Sequence, residues 1–172
     1  LRHEYIGGEV YAMTGASDRH GLIVNALAFA LTPAVRKRGC QLFSNDMKVH
    51  LHYAGEEAFY YPDLLLACDP DDRAPYYREK PCLIIEVLSK TTERIDRQEK
   101  LYAYTAGLAS LREYLLVAQD RQHIEIYRRT DTDWTHEIVE REDFHLDCLN
   151  LDVLVDSVYE DLEDFEVSSS AP

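Results

Sequence analysis

Apolar positions recur with two periods along the chain. Tyr5 to Met13 alternates loosely around Gly7-Gly8, which predicts a turn followed by a short strand. Thr14-Gly15-Ala16-Ser17 reads as a loop, and Asp18 is placed to cap a helix. Leu22, Ile23, Ala26, Leu27, Ala30 and Leu31 then share one helical face. Pro33 is expected to kink or end that helix, because proline lacks a backbone donor and clashes with the preceding turn. Arg36-Lys37-Arg38 and Gly39 close it, with cations at the negative end of the helix dipole.

Strand-like runs follow. Cys40 to Phe43 is one. In Met47 to Tyr53 the residues Met47, Val49, Leu51 and Tyr53 face one side and Lys48, His50 and His52 the other, the pattern of a half-exposed antiparallel strand. Ala58 to Cys68 is a further apolar run, and Asp69 to Lys80 is a polar loop. Leu83 to Leu88 is apolar on both faces apart from Glu86 and predicts a central strand. Thr91 to Ala106 is helical in period, capped by Thr91, by Thr92 or by an Asp96–Glu99 capping box, with Gly107 as its stop. Tyr114 to Ala118 predicts a buried strand, and His123 to Arg129 with Trp134 to Val139 predicts a hairpin. The order implies an α/β fold: a mixed central sheet flanked by helices, with an added β-hairpin. One domain is expected over 1–162, and the acidic, Ser-rich 163–172 is expected to fray.

Composition narrows the classes. Over 172 residues, 46% are apolar and 29% charged, which is globular rather than disordered. No apolar run reaches the roughly 20 residues of a membrane span, so no membrane partner is expected. No basic leader precedes an apolar segment, and a cytoplasmic location is expected. The net charge is −14, and the stretch from Glu140 onward holds 11 acids against one base. Such an anion repels phosphate backbones; it leaves room for a small local nucleic-acid site but not for a loose coating of one. Cys40, Cys68, Cys82 and Cys148 are scattered without a C-x-x-C pair, so they are expected to be reduced and buried.

Two acids interrupt apolar strand runs, Asp63 after Pro62 and Glu86 within Leu83 to Leu88. A buried carboxylate needs a partner, whether backbone N–H groups, an arginine or a cation. If the two strands are neighbours, both carboxylates can converge on one hard cation, and Mg²⁺ suits such oxygen donors. Asp96, Lys100 and Tyr104 are spaced i, i+4, i+8 and share a helical face that can aim Lys100 at the two acids. The bland alternative for Lys100 is a solvated Asp–Lys pair. His20, His50, His52 and His123 show no ligand spacing and read as surface or packing residues.

Four segments in order resemble the Uma2 family: Glu4-Tyr5-Ile6-Gly7-Gly8-Glu9-Val10-Tyr11-Ala12-Met13; Tyr61-Pro62-Asp63-Leu64; Ile85-Glu86-Val87-Leu88-Ser89-Lys90-Thr91-Thr92 with Asp96-x-x-x-Lys100-x-x-x-Tyr104; and Leu111-Arg112-Glu113-Tyr114-Leu115-Leu116-Val117. The resemblance implies a restriction-endonuclease-like fold of the PD-(D/E)XK superfamily and Mg²⁺-dependent hydrolysis of DNA phosphodiesters, with Mn²⁺ as a substitute. Carried over by position, Asp63 and Glu86 are the metal-binding acids, the Val87 carbonyl is a further ligand, and Glu9 is an additional acid of the metal shell. The usual motif lysine would fall at Leu88, so Lys100 from the following helix takes its role. Ser89, Asp96, Tyr104 and Glu113 are implied to be supporting positions. A homodimer is expected, since cutting both strands of a duplex calls for two sites. The competing readings are a nuclease-fold module that binds without cutting and a hydrolase of small nucleotides on the same metal site.

Overall fold

The computed structural model describes residues 3–13, 15–90 and 92–162; the expected frayed tail and the Thr91 cap lie outside them. The chain opens with strands β1 (His3–Ile6) and β2 (Glu9–Ala12), an antiparallel hairpin. It turns at Gly7 and Gly8, both of positive φ, a region open to glycine without a Cβ penalty. Helix α1 (Asp18–Arg38) starts one residue earlier in its capping than expected: the Ser17 hydroxyl accepts from the His20 N–H, and Asp18 sits in the first turn. The helix does not end at Pro33 but continues through it to Arg38. Pro33 lies on the exposed side of the helix, where the carbonyl that loses its bond meets water. Gly39 closes the helix in the left-handed region at φ 69°.

The next strands are β3 (Gln41–Ser44), β4 (Lys48–Tyr53), β5 (Glu56–Tyr60), β6 (Leu64–Ala67), β7 (Tyr77–Arg78) and β8 (Pro81–Val87). The run Ala58 to Cys68 is thus two strands in two different sheets. Pro62, with no N–H to give to a ladder, falls in the break between them. A wide-turned π segment (Ile95–Lys100) leads into α2 (Leu101–Gly107). Then come β9 (Glu113–Val117), the hairpin β10 (Ile124–Arg129) and β11 (Trp134–Val139), the small hairpin β12 (Phe144–Leu146) and β13 (Leu151–Val153), and α3 (Val155–Tyr159).

Six strands form a mixed sheet in the order β11-β10-β9-β8-β6-β3, in which only β8 and β9 run parallel. Their crossover is the π segment and α2. A second sheet, β2-β1-β5-β4-β7, packs on the same side as α2. The central strands β6, β8 and β9 are buried on both faces, which is why β8 reads as continuously apolar. Leu83, Ile85 and Val87 join the α1 and α3 layer, whereas Ile84 joins the α2 and second-sheet layer. By this alternation Glu86 faces the α2 layer.

All four cysteines are paired, as Cys40–Cys68 and Cys82–Cys148, which corrects the expectation that they are reduced. The pairing follows from the register. Gln41 lies opposite Ala67 in the β3–β6 pair, so Cys40 and Cys68 are the next cross-strand neighbours, with Cα atoms 4.3 Å apart.

Candidate active site

Asp63 and Glu86 are cross-strand neighbours. Leu64 pairs with Ile85 in antiparallel register, so the residue before β6 stands opposite Glu86. The Asp63 Oδ2 accepts the Val87 N–H at 2.7 Å and lies 3.0 Å from His20 Nε2. Lys100 Nζ reaches into the same place from the π segment. It lies 3.1 Å from Glu86 Oε1, 3.2 Å from Asp96 Oδ1 and 3.3 Å from Glu4 Oε1. The Tyr104 hydroxyl donates to Glu86 Oε1 at 3.1 Å, one turn further along the helix. Thus Asp96, Lys100 and Tyr104 do share one inward face, and all three are buried. Asp96 is not a capping residue; Ser89 takes that role, accepting the Thr92 N–H at 3.1 Å.

The cluster floors a cleft of about 480 Å³ at the C-terminal end of β8. Its wall includes His20 from α1, Asp63, Glu86, Ser89 and Lys100, and its rim carries Arg19, Lys90, Arg97 and Arg121. Beneath it, Tyr104 stacks edge-on between Tyr60 and Tyr114, with ring centroids 5.5 and 5.3 Å away. The Tyr114 hydroxyl donates to the Asp96 carbonyl at 3.1 Å and braces the π segment.

Burial dominates the electrostatics. It raises the Glu86 pKa well above the ordinary carboxyl value; the Lys100 ammonium pulls it down, and the charges of Asp96, Asp63 and Glu4 add to the rise. Asp96 is raised as well, by burial and against the pull of Lys100. Burial opposes the Lys100 charge, but Glu86, Glu4 and Asp96 together outweigh it, and its pKa stands well above that of an ordinary lysine. Three carboxyl groups therefore surround one permanent cation, and the Asp63 carboxyl adds a fourth to the site. This surplus of hard oxygen donors is what a divalent cation would balance, so the residues present fit Mg²⁺ or Mn²⁺ held by Asp63, Glu86 and the Val87 carbonyl.

Two residues of this cluster escape a reading of the sequence. Glu4, not Glu9, supplies the extra acid. Both lie on the same face of the β1–β2 hairpin, but Glu9 pairs with Ile6, two residues nearer the turn, and its exposed side chain accepts from the Tyr11 hydroxyl instead. Glu4 is held inward by accepting the Tyr61 N–H at 3.1 Å. His20 was expected to be surface or packing, yet it is buried on Asp63. Its spacing to Ile23, Val24 and Leu27 on the buried helix face was the available signal. Glu113 lies apart from the cleft and is structural: its oxygens accept the Asp147 and Cys148 N–H groups, both at 3.0 Å.

A curated protein of Synechocystis sp., "Uncharacterized protein slr1290", is 32% identical over 164 residues, covering 94% of this chain and 85% of its own. A second from that organism, "Uncharacterized protein sll1609", is 29% identical and covers 77% of this chain and 76% of its own. The fold is similar to a crystal structure from Anabaena variabilis described as "a putative nuclease belonging to DUF820", with a TM-score of 0.72 at 14% identity, covering 92% of this chain and 89% of that one. The family model Uma2, described as "Putative restriction endonuclease", matches residues 1–154, and the chain belongs to that family.

Proposed function

We propose that the chain is a Mg²⁺-dependent endonuclease that hydrolyses DNA phosphodiester bonds. The observation that carries this reading is the convergence of Glu86, Asp63 and Lys100, from three distant segments, on the floor of one open cleft. Asp63, Glu86 and the Val87 carbonyl would hold a divalent cation, which would supply an acidified water and charge stabilisation at a phosphoryl oxygen. Lys100, held charged by Glu86, Glu4 and Asp96, is the cation that would stabilise the charge developing on a phosphate bound in the cleft. His20 and the Val87 N–H fix the orientation of the Asp63 carboxylate. Arg19, Lys90, Arg97 and Arg121 are the cations that a phosphate backbone would meet at the cleft, against a net charge of −14 and with Arg97 paired to Glu93 and Glu125 and Arg121 to Asp120. The protein is proposed to act in the cytoplasm as a homodimer, each subunit cutting one strand. The two disulfides run against a reducing compartment, so the test is a thiol count in protein extracted under alkylating conditions: four free thiols support the cytoplasm, and none refutes it.

The test is cleavage of plasmid and single-stranded DNA with Mg²⁺ or Mn²⁺. Wild type should cut, and Asp63→Asn, Glu86→Gln and Lys100→Met should not. Equal background in all four refutes the proposal. A second reading, a binding module that does not cut, is favoured by the net charge and by the engagement of Lys100 with three carboxylates. Calorimetric titration with Mg²⁺ separates the two: binding lost in Glu86→Gln supports catalysis, and no binding supports the module. A nucleotide substrate screen covers the third reading, since the cleft volume also suits a small ligand.

A further inference from the structure

A second cluster of potential ligands lies outside the cleft, on the outward face of the five-stranded sheet. His50 and His52 alternate with the buried Val49 and Leu51 on β4, so both imidazoles stand on the side away from the core. Glu57 of β5 lies directly opposite His52 in the ladder. Ligand atoms of His50, His52 and Glu57 all fall within 4.8 Å of one another. His50 is held firmly. Its ring stacks on Phe59 at 4.4 Å and meets Tyr77 edge-on at 5.3 Å. Its Nδ1 bonds Glu79 Oε1 at 2.7 Å, and its Nε2 points to Glu57 Oε1 at 2.9 Å. A carboxylate behind one nitrogen of a histidine, with the other nitrogen turned to further ligands, is the arrangement that orients imidazole for a metal.

We propose that His50 Nε2, His52 and Glu57 form a Zn²⁺ site, with Glu79 orienting His50 and water completing a tetrahedron. The chemistry selects a transition metal: two imidazoles and one carboxylate suit Zn²⁺, whereas Mg²⁺ prefers oxygen alone. Two nitrogens on one tetrahedral zinc stand roughly 3.3 Å apart. The His52 side chain is exposed and can close that distance by rotation. None of the four residues lines the cleft. Bound zinc joins β4 to β5 and, through Glu79, to the segment after β7, so the site is a structural clasp on the sheet that delivers Glu4 to Lys100. The inference does not depend on the nuclease reading.

The test uses the full chain, stripped with a chelator and titrated with Zn²⁺ at fixed pH against a chromophoric competitor. Asp63→Asn serves as the parent, to remove the other site. One equivalent should bind at micromolar concentration or below, and Co²⁺ in its place should give the intense visible bands of four-coordination. His52→Ala and Glu57→Gln should weaken binding at least tenfold, and Glu79→Gln about tenfold, the usual effect of losing an orienting carboxylate. All are exposed positions, and unchanged circular dichroism shows that each variant folds. The proposal falls if zinc binds only at millimolar concentration, if affinity is equal in His52→Ala, or if Asp63→Asn abolishes it. Any of these leaves His50 as the shared partner of two glutamates.

Discussion

Replacing Lys100 by Met keeps an apolar stem of similar length and removes the one permanent cation among Glu4, Glu86 and Asp96. Breaking a buried ion pair from one side costs about 3–5 kcal/mol, because the remaining charge is left desolvated. In a domain of this size that lowers Tm by roughly 6–20 °C. The cost depends on pH, and its sign follows from Glu86. Burial already raises the folded pKa of Glu86 above the ordinary 4.5. A carboxyl raised on folding contributes most stability below its unfolded pKa and loses that contribution as pH rises through its folded value. Without Lys100, the chief downward pull, the folded value rises further and the loss extends to higher pH. Urea denaturation followed by circular dichroism should therefore show a deficit that is small at about pH 5 and large at about pH 8. Adding Glu86→Gln to Lys100→Met should recover more than half of it at the higher pH, since no unpaired charge then remains at that position. A deficit below about 1 kcal/mol at both pH values, or no recovery in the double variant, would refute the charge balance described for the cluster.

Three further outcomes are expected. His20→Phe removes the partner of Asp63 and should lower metal affinity or cleavage about 10–100-fold, read as a shift in the Mg²⁺ dependence; an unshifted curve shows that His20 only packs. Gly107→Ala should cost about 1–3 kcal/mol in urea unfolding, because its Cβ would come within 2.9 Å of the His52 carbonyl and Leu51 Cδ1; an unchanged midpoint means that α2 can shift off β4. Denatured, unreduced protein should show no free thiol and reduced protein four, with each bridge worth about 2–4 kcal/mol; thiols present before reduction would restore the original expectation for the cysteines.

Local chemistry made much of this molecule legible. The doubly apolar run of Leu83 to Leu88 declared a strand covered on both faces, and the i, i+4, i+8 spacing put Asp96, Lys100 and Tyr104 on one inward side. The interrupting acids Asp63 and Glu86 marked the site because a carboxylate within an apolar strand needs a partner wherever the strand lies. The signals that misled were those whose outcome depends on surroundings. Pro33 does not break α1 because its side of the helix faces water, and Asp96 is not a cap because Ser89 precedes it in the right geometry. The π segment leaves no mark in residue spacing, yet it carries Lys100 to Glu86.

What the chain determined alone, then, is the period of each element and the identity of the acids and lysine that could not be buried without company. Who keeps them company was decided by tertiary structure: the β6–β8 register that sets Asp63 opposite Glu86, the hairpin that brings Glu4 rather than Glu9 to Lys100, and the β3–β6 ladder that joins Cys40 to Cys68. The physical reason is range. Propensity and periodicity act over a few residues, whereas ion pairs, metal sites and disulfides depend on distances between segments that lie tens of residues apart and meet only once the sheets are paired.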